Sequence, residues 1–341
     1  MLYLTAPEQL DELLPNEPPY RADQVRQWLY EQPTLDIDGW TNLPKSLRDG
    51  LRNQLWPFKV ELEQRADKGN TVKWLFRTPD GISIESVLMA YPDRVTLCVS
   101  SQAGCAMACT FCATGQFGFD RHLEPGEIIA QVAYAKAIAA SGEFADGPRR
   151  LNNVVFMGMG EPLANYARVR ESLRLMIDVM DMSARNITVS TVGVVPGMRR
   201  LAEEPWQVGL AVSLHAADDE LRSRLVPLND RYPLAEVEQA AAQYFEAKGR
   251  RVSIEWTMMD GVNDDDEQAK KLAAMANRLH AHVNLIALNP TPLSNDKPSR
   301  QRTIKRFAQV LEAEGANVTV RDTRGQDIDA ACGQLRVRAN A

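Results

Sequence analysis

Cys105, Cys109 and Cys112 form a C-x3-C-x2-C run inside CVSSQAGCAMACTFCATG (residues 98–115). Cys98 lies seven residues upstream, so four of the chain's five cysteines fall within fifteen positions. Thiolates are the soft ligands that iron–sulfur clusters take. Three of them on one loop can hold three corners of a 4Fe-4S cluster and leave the fourth iron open, a place to bind and activate a second molecule. A structural zinc ion would need a fourth ligand, and Cys98 or His122 could supply it. The x3 spacing fits a loop wrapped around a cube better than the C-x2-C pairs of most zinc sites. The fifth cysteine, Cys332 in DAACGQL, reads on its own as an inert thiol near the C-terminal end.

Other polar groups stand where apolar runs end. NVVFM (153–157) leads into Gly158-Met159-Gly160-Glu161-Pro162. Carbonyls near Gly160 and the Glu161 carboxylate can accept hydrogen bonds from an ammonium group, although an isolated GxG reads first as a tight turn. Ser190 with Thr191, Ser213-Leu214-His215 and Asn289-Pro290 close later runs in the same way.

The elements that must carry these groups alternate. Apolar runs at 153–157, 187–192, 208–214, 252–258, 283–288 and 318–321 are separated by helical stretches at 125–141, 167–180, 234–247, 267–278 and 304–314. Such alternation predicts parallel βαβ units in an open or closed α/β barrel, whose site lies at the C-terminal ends of the strands. Upstream, residues 58–97 carry β-branched and aromatic runs split by Pro79-Asp80-Gly81, a hairpin signal. Residues 1–55 read as helical. Val25, Trp28 and Leu29 share one face, and Leu43, Leu47, Leu51 and Leu55, recurring every four residues, predict a second helix accompanied by Lys45, Arg48 and Arg52.

Composition sets outer limits. Hydrophobic residues make up 45% and charged residues 25% of the 341, enough to bury a large core. No apolar run approaches the ~20 residues of a membrane helix, and MLYLTAPEQLDELL lacks the basic start of a signal peptide. Crowded cysteines, odd in number, argue for a reducing cytoplasm. The net charge of −6 argues against a generally basic nucleic-acid binder, but Lys297–Arg306 carries five basic residues and no acidic one. Local basic patches are what an RNA-contacting face needs.

Taken in order, ESVLM, CVSSQAGCAMACTFCATGQFG, FMGMGEPLANY, STVGVVPG, SLHA, PLNDRYP, GVND, NLIALNP and RGQDIDAACGQL resemble the RlmN/Cfr family of radical-SAM RNA adenine methyltransferases. The likeness runs from about residue 20 to residue 335. It implies a partial (β/α)6 TIM-like barrel over 98–321, an N-terminal helical accessory domain (1–57) that grips RNA, a β extension (58–97) and a C-terminal segment (322–341). It also implies one 4Fe-4S cluster on Cys105, Cys109 and Cys112. S-adenosylmethionine would be held by Gly160, Glu161, Ser190, Ser213, Leu214, His215 and Asn289.

Carbon 2 of adenine lies between two ring nitrogens and is too electron-poor to attack a sulfonium methyl directly. The family's route, carried onto this chain, has Cys332 accept a methyl from one S-adenosylmethionine. A radical made from a second one activates that methyl for addition to carbon 2. Glu85 would remove the ring proton, and Cys98 would resolve the adduct through a transient disulfide with Cys332. Pro162 and Arg324-Gly325 resemble the carbon-2 (RlmN) type, whereas the carbon-8 (Cfr) type carries alanine in place of that proline. The implied partners are 23S rRNA in its peptidyl-transferase region, the adenine 3′ to the anticodon of tRNAs, and a flavodoxin or ferredoxin as electron donor; a monomer is expected. A methylthiotransferase would need more cysteines for a second cluster. A glycyl-radical activase and a zinc-stabilised RNA-binding module are the readings from other classes.

Overall fold

A computed structural model describes residues 1–144, 147–322 and 324–335. Thr323 and residues 336–341, which belong to the expected C-terminal segment, lie outside the described residues. Two helices, α1 (Tyr20–Arg26) and α2 (Lys45–Leu51), with several 3-10 turns, make up the N-terminal part. Strands β1 (Lys59–Ala66), β2 (Thr71–Arg77), β3 (Ser83–Ala90) and β4 (Val95–Cys98) follow and are antiparallel, β2 and β3 joined through the Pro79-Asp80-Gly81 turn. The short pair β5 (Gln102–Gly104) and β6 (Phe119–His122) flanks α3 (Ala113–Gln116), after which the chain enters α4 (Pro125–Ser141).

From there strands and helices alternate: β7 (Asn153–Phe156), α5 (Tyr166–Arg174), β8 (Ile187–Thr191), α6 (Val195–Glu203), β9 (Gly209–Ser213), α7 (Asp219–Leu225), α8 (Leu234–Lys248), β10 (Ser253–Met258), α9 (Asp266–Arg278), β11 (His282–Ala287), α10 (Gln301–Ala313) and β12 (Asn317–Val320). The main sheet runs β1-β2-β3-β4-β7-β8-β9-β10-β11-β12 and is parallel from β4 onward. Each parallel strand from β4 to β11 is followed by a helix, so the expected six-unit partial barrel is present, with β12 as its last strand.

The helical reading of residues 1–55 is only partly right. Leu43 precedes Pro44, which disfavours helical backbone in the residue before it, so α2 starts at Lys45. Arg52–Gln54 tightens to a 3-10 turn and Leu55 falls outside. Leu43, Leu51 and Leu55 are nonetheless buried, brought together by the turns rather than by one helix. Trp40 is fully buried and Tyr3 stacks on Trp56 at 5.1 Å. Phe58, Trp74, Phe76 and Tyr134 extend that aromatic cluster to β2 and α4, so one hydrophobic core runs from Leu2 to Leu335.

Residues 324–335 contain one 3-10 turn and cross from β12 back to the β extension. Arg324 donates to the Ala90 carbonyl at 2.8 Å, Lys73 Nζ to the Asp329 carbonyl at 3.4 Å, and the Gly325 amide to the Asp67 carboxylate at 3.2 Å. This crossing closes the open side of the barrel.

The contact between the N-terminal segment and α4 is close enough to test. A Cβ added at Gly126, in the first turn of α4, would stand 1.8 Å from the Tyr3 carbonyl oxygen. Gly126→Ala should therefore destabilise the protein by about 1–3 kcal/mol through overpacking, seen as a lower urea midpoint at unchanged m. Gly50→Ala in α2, where a Cβ meets nothing within 4 Å, should instead stabilise it by roughly 0.5–1 kcal/mol through helix propensity.

Candidate active site

The cluster loop hangs from the β5–β6 pair and is pinned at both ends. The Cys105 amide donates to the Gly118 carbonyl at 2.7 Å, the Thr110 amide to Leu225 at 3.1 Å, and the Ala113 amide to Gly333 at 2.8 Å. Cys109 is buried, and Cys105 and Cys112 are half-buried. Burial pushes the Cys105 thiol up to about 12 and the Cys109 thiol well above its ordinary range. Metal ligation would require these thiols to give up their protons, so loading the loop would release protons. The three residues fit a 4Fe-4S cluster in donor type, and all three line one cavity.

Beside the loop a cavity opens at the C-terminal ends of the strands. All three cysteines line it, together with Gly160, Glu161, Ser190, Ser213 and His215. Gly160 has φ +99°, and a Cβ there would meet the Gln102 side chain at 2.4 Å, so glycine alone fits. The Glu161 carboxylate is fixed from two sides, accepting from the Leu163 and Val192 amides, both at 2.9 Å. Burial raises its pKa to about 7, and those two amides hold it from rising further. An incoming ammonium would restore its charge.

Leu214 and Asn289 sit differently from the other expected cofactor contacts. The Leu214 side chain joins the core beside α8 and α9, while its neighbours Ser213 and His215 face the cavity. Asn289 lines a second cavity, where its Nδ2 donates to the Cys332 carbonyl at 3.0 Å and its Oδ1 accepts from Gln326.

That second cavity runs inside the barrel toward the N-terminal ends of the strands, past Thr96, Asn153, Thr188 and Ser253. Cys98 and Cys332 both line it, and Cys332 lines the first cavity as well. The two expected partners, far apart in sequence, thus share one chamber. Burial, and then the nearby Cys332, raise the Cys98 thiol far above its ordinary pKa. Burial also raises that of Cys332, even though the flanking cavities leave its side chain accessible. At the rim, the Arg94 and Arg324 guanidiniums lie 4.2 and 4.3 Å from the centre of the Tyr91 ring.

Glu85 is buried and ion-paired with Lys73 at 3.2 Å. The pairing of Val87 with Cys98 puts Glu85, two residues along β3, on the sheet face that carries Cys98. It is not among the residues lining the two cavities. Two site residues escaped the sequence reading. Arg222 is fully buried and ties the Val192 carbonyl to Asn229, and nothing in LRSRL marks it. Glu255 lines both cavities. Its signal was there, a lone carboxylate at an inward position of the apolar strand SIEWTM.

His215 is buried with φ +62°, its Nδ1 accepting from the Thr257 amide at 3.0 Å and its carbonyl from Asn263 at 2.8 Å. Burial, with Arg222 nearby, lowers its pKa to about 3. The unfolded chain binds this proton below about pH 6.5 and the folded chain does not, so stability is lost as pH falls through 6.5, by about 1.4 kcal/mol per unit. Asparagine tolerates this backbone and places an acceptor where Nδ1 stands. His215→Asn should therefore lose about 2 kcal/mol less than the parent between pH 6.5 and 5, as measured by urea unfolding at each pH.

Comparison with known proteins agrees with this geometry. The model of the radical SAM superfamily matches residues 99–273, and that of the ribosomal RNA large subunit methyltransferase N-terminal domain matches residues 7–56. A probable dual-specificity RNA methyltransferase RlmN of Salinispora tropica is 51% identical over 326 residues, 94% of this chain and 87% of the relative. One of Rhodococcus erythropolis is 50% identical over 328 residues, 93% and 89% of the two chains. The crystal structure of a radical SAM methyltransferase from Sphaerobacter thermophilus matches with a TM-score of 0.92 at 49% identity, covering 98% of both chains. With a thiol-lined loop at the mouth of a six-unit barrel and relatives of this identity over nearly its whole length, the chain belongs to the RlmN family of radical SAM RNA methyltransferases.

Proposed function

We propose that the protein methylates carbon 2 of an adenine in the peptidyl-transferase region of 23S rRNA and of the adenine 3′ to the anticodon in tRNAs, through a methylated Cys332 and with two S-adenosylmethionine per turnover. The observation that carries this reading is the place of Cys332, in the wall shared by the cavity of the cluster loop and the cavity of Cys98. From there one sulfur can face a methyl donor on one side and a base on the other.

A 4Fe-4S cluster on Cys105, Cys109 and Cys112, with S-adenosylmethionine beside it, supplies the methyl group and the one-electron chemistry that an electron-poor ring carbon needs. The chain's own residues do the rest. Gly160, Glu161, Ser190, Ser213 and His215 hold the cofactor from the strand ends, Leu214 can reach it only through its backbone, and Asn289 fixes the Cys332 backbone. Cys332 takes up and carries the methyl. Glu85, ion-paired with Lys73 on the Cys98 face, is assigned the ring proton. Cys98 then attacks the Cys332 sulfur and frees the product as a disulfide forms.

A base can reach the second cavity only once unstacked from its neighbours. The guanidiniums around Tyr91 suit a phosphate backbone at the rim. Lys297, Arg300, Arg302 and Lys305 are exposed and pair with no carboxylate among the described residues, whereas Arg52 is held by Asp36, Asp38 and Asp49. These free cations are better placed to grip RNA than Arg52. A flavodoxin or ferredoxin is the expected electron donor, and the cytoplasm the expected compartment.

The reconstituted protein, given S-adenosylmethionine, a reductant and transcripts of the 23S region and of tRNA, should yield 2-methyladenosine on nucleoside mass spectrometry. Appearance of 8-methyladenosine would move the assignment to the carbon-8 type, and absence of any methyladenosine would refute the reading. Cys98→Ala should form the adduct without resolving it. Labelled RNA should then migrate with the protein on a denaturing gel, and the band should vanish in Cys98→Ala/Cys332→Ala.

A further inference from the structure

Two thiols and two carboxyls line the second cavity: Cys98 on β4, Cys332 on the crossing segment, Glu255 on β10 and Asp322 after β12; Asp322 is exposed, whereas Glu255 is buried between the strands. Glu255 also lines the first cavity, as Cys332 does. Strand register sets Glu255 between Ser213 on β9 and Asn284 on β11, all three on the inner face of the barrel. Asn284 Nδ2 donates to Glu255 Oε1 at 2.8 Å, and among the described residues no other side chain hydrogen-bonds this carboxyl. Oε2 is left to the cavity. We propose that Glu255 is a catalytic residue, the acid that protonates the methylene carbon released when Cys98 displaces it from Cys332. This rests on the reading of Cys332 as methyl carrier.

The step closes without any outside reagent. Cys98 sulfur bonds to Cys332 sulfur, and the Cys332 S–CH2 bond breaks. Its electron pair passes to the CH2 carbon and into the adenine ring nitrogens. The Glu255 O–H proton goes to that carbon and completes the methyl group, and the proton leaving the Cys98 thiol returns to the Glu255 carboxylate. Cys98–SH and Cys332–S–CH2–adenine thus become a disulfide and CH3–adenine. The surroundings favour the acid form. Burial raises the Glu255 pKa, opposed by Arg321 and by the Asn284 bond. Burial likewise keeps Cys98 a thiol that needs a proton acceptor to react. Glu161, the carboxyl of the first cavity, has both oxygens engaged by backbone amides.

The test uses full-length reconstituted protein with labelled 23S transcript. Glu255→Gln should still carry S-methyl-Cys332, by peptide mass spectrometry, and wild-type iron content. It should nonetheless accumulate protein–RNA adduct at least about tenfold above wild type with Cys98 intact, and Glu255→Asp should clear much of it. A structural role alone would lower methylation of Cys332 or iron content and leave no adduct. Adduct clearance at the wild-type rate in Glu255→Gln, or loss of S-methyl-Cys332 in that variant, would overturn the proposal. Should Glu255→Gln not fold, Asn284→Ala, which frees the carboxyl to swing away, must show an intermediate adduct level, and a wild-type level refutes the assignment. Wild-type protein that makes no methyladenosine would refute the carrier reading instead.

Discussion

The site depends on the docking of a segment with almost no regular structure. Residues 324–335 are held across the open side of the barrel by single hydrogen bonds to three regions. The β extension contributes Lys73, Asp67 and the Ala90 carbonyl, the cluster loop the Ala113 amide and Thr114, and the end of β11 Asn289. Each bond contributes about 0.5–1.5 kcal/mol net. The anchors nearest the cysteine are the Asn289 bond to its carbonyl and the Ala113 bond to Gly333 beside it. One comes from a strand end and the other from the ligand loop. The position of the Cys332 sulfur is therefore tied to both the barrel frame and the cluster loop, while its side chain stays accessible. The carrier role proposed for Cys332, whose sulfur would have to meet two different reactants, requires that combination of fixed backbone and free side chain.

Strand alternation gives the interior its second property. On β8 to β11 the inward positions include Thr188, Ser190, Ser213, Glu255, Thr257 and Asn284, polar groups where a closed barrel would put branched apolar side chains. These residues leave room rather than fill it, so the barrel holds two linked chambers instead of a packed core. The apolar complement goes outward: Val189, Leu210, Ile254 and Leu285 pack into the continuous core. Stability is gathered between sheet and helices, and the interior is released for chemistry. The same arrangement explains the shifted acids and bases. Few charges are near enough to offset burial, so Cys98, Cys105, Cys109, Cys332, His215 and Glu255 are held toward their neutral forms.

Much of this was legible in the sequence because it rests on short-range pattern. The C-x3-C-x2-C spacing, the glycine after β7 and the alternation of runs are local, and all three fall where they were expected. The reading failed where geometry is set by turns or by distant contacts. Leu43, Leu47, Leu51 and Leu55 repeat like a helix, yet Pro44 and a 3-10 turn cut the helix on both sides. The Leu214 side chain, between two cavity residues, points to the core because the alternation of β9 carries on one residue past its end. The ion pair of Glu85 with Lys73, and the seat of Arg222 beneath Val192, join residues by tertiary packing alone. The sharing of one chamber by Cys98 and Cys332 came from resemblance, and periodicity could not have supplied it.

The two thiols of that chamber differ in a way that suits their order of use. Cys98 lies on a strand paired on both sides, with Val87 on β3 and Val155 on β7, so its sulfur has one address and little freedom. Cys332 lies on a tethered turn and can shift by a rotamer without breaking a ladder bond. A disulfide needs its sulfurs about 2 Å apart and its Cβ atoms near 3.8 Å, whereas accepting a methyl requires the Cys332 sulfur to face the other cavity. In the proposed sequence of steps the movement falls to the turn that carries Cys332. Burial also keeps Cys98 a thiol at rest, which slows a direct disulfide with Cys332 before any adduct exists. In the proposed reaction the buried Cys98 thiol would become a nucleophile only once a neighbouring group takes its proton.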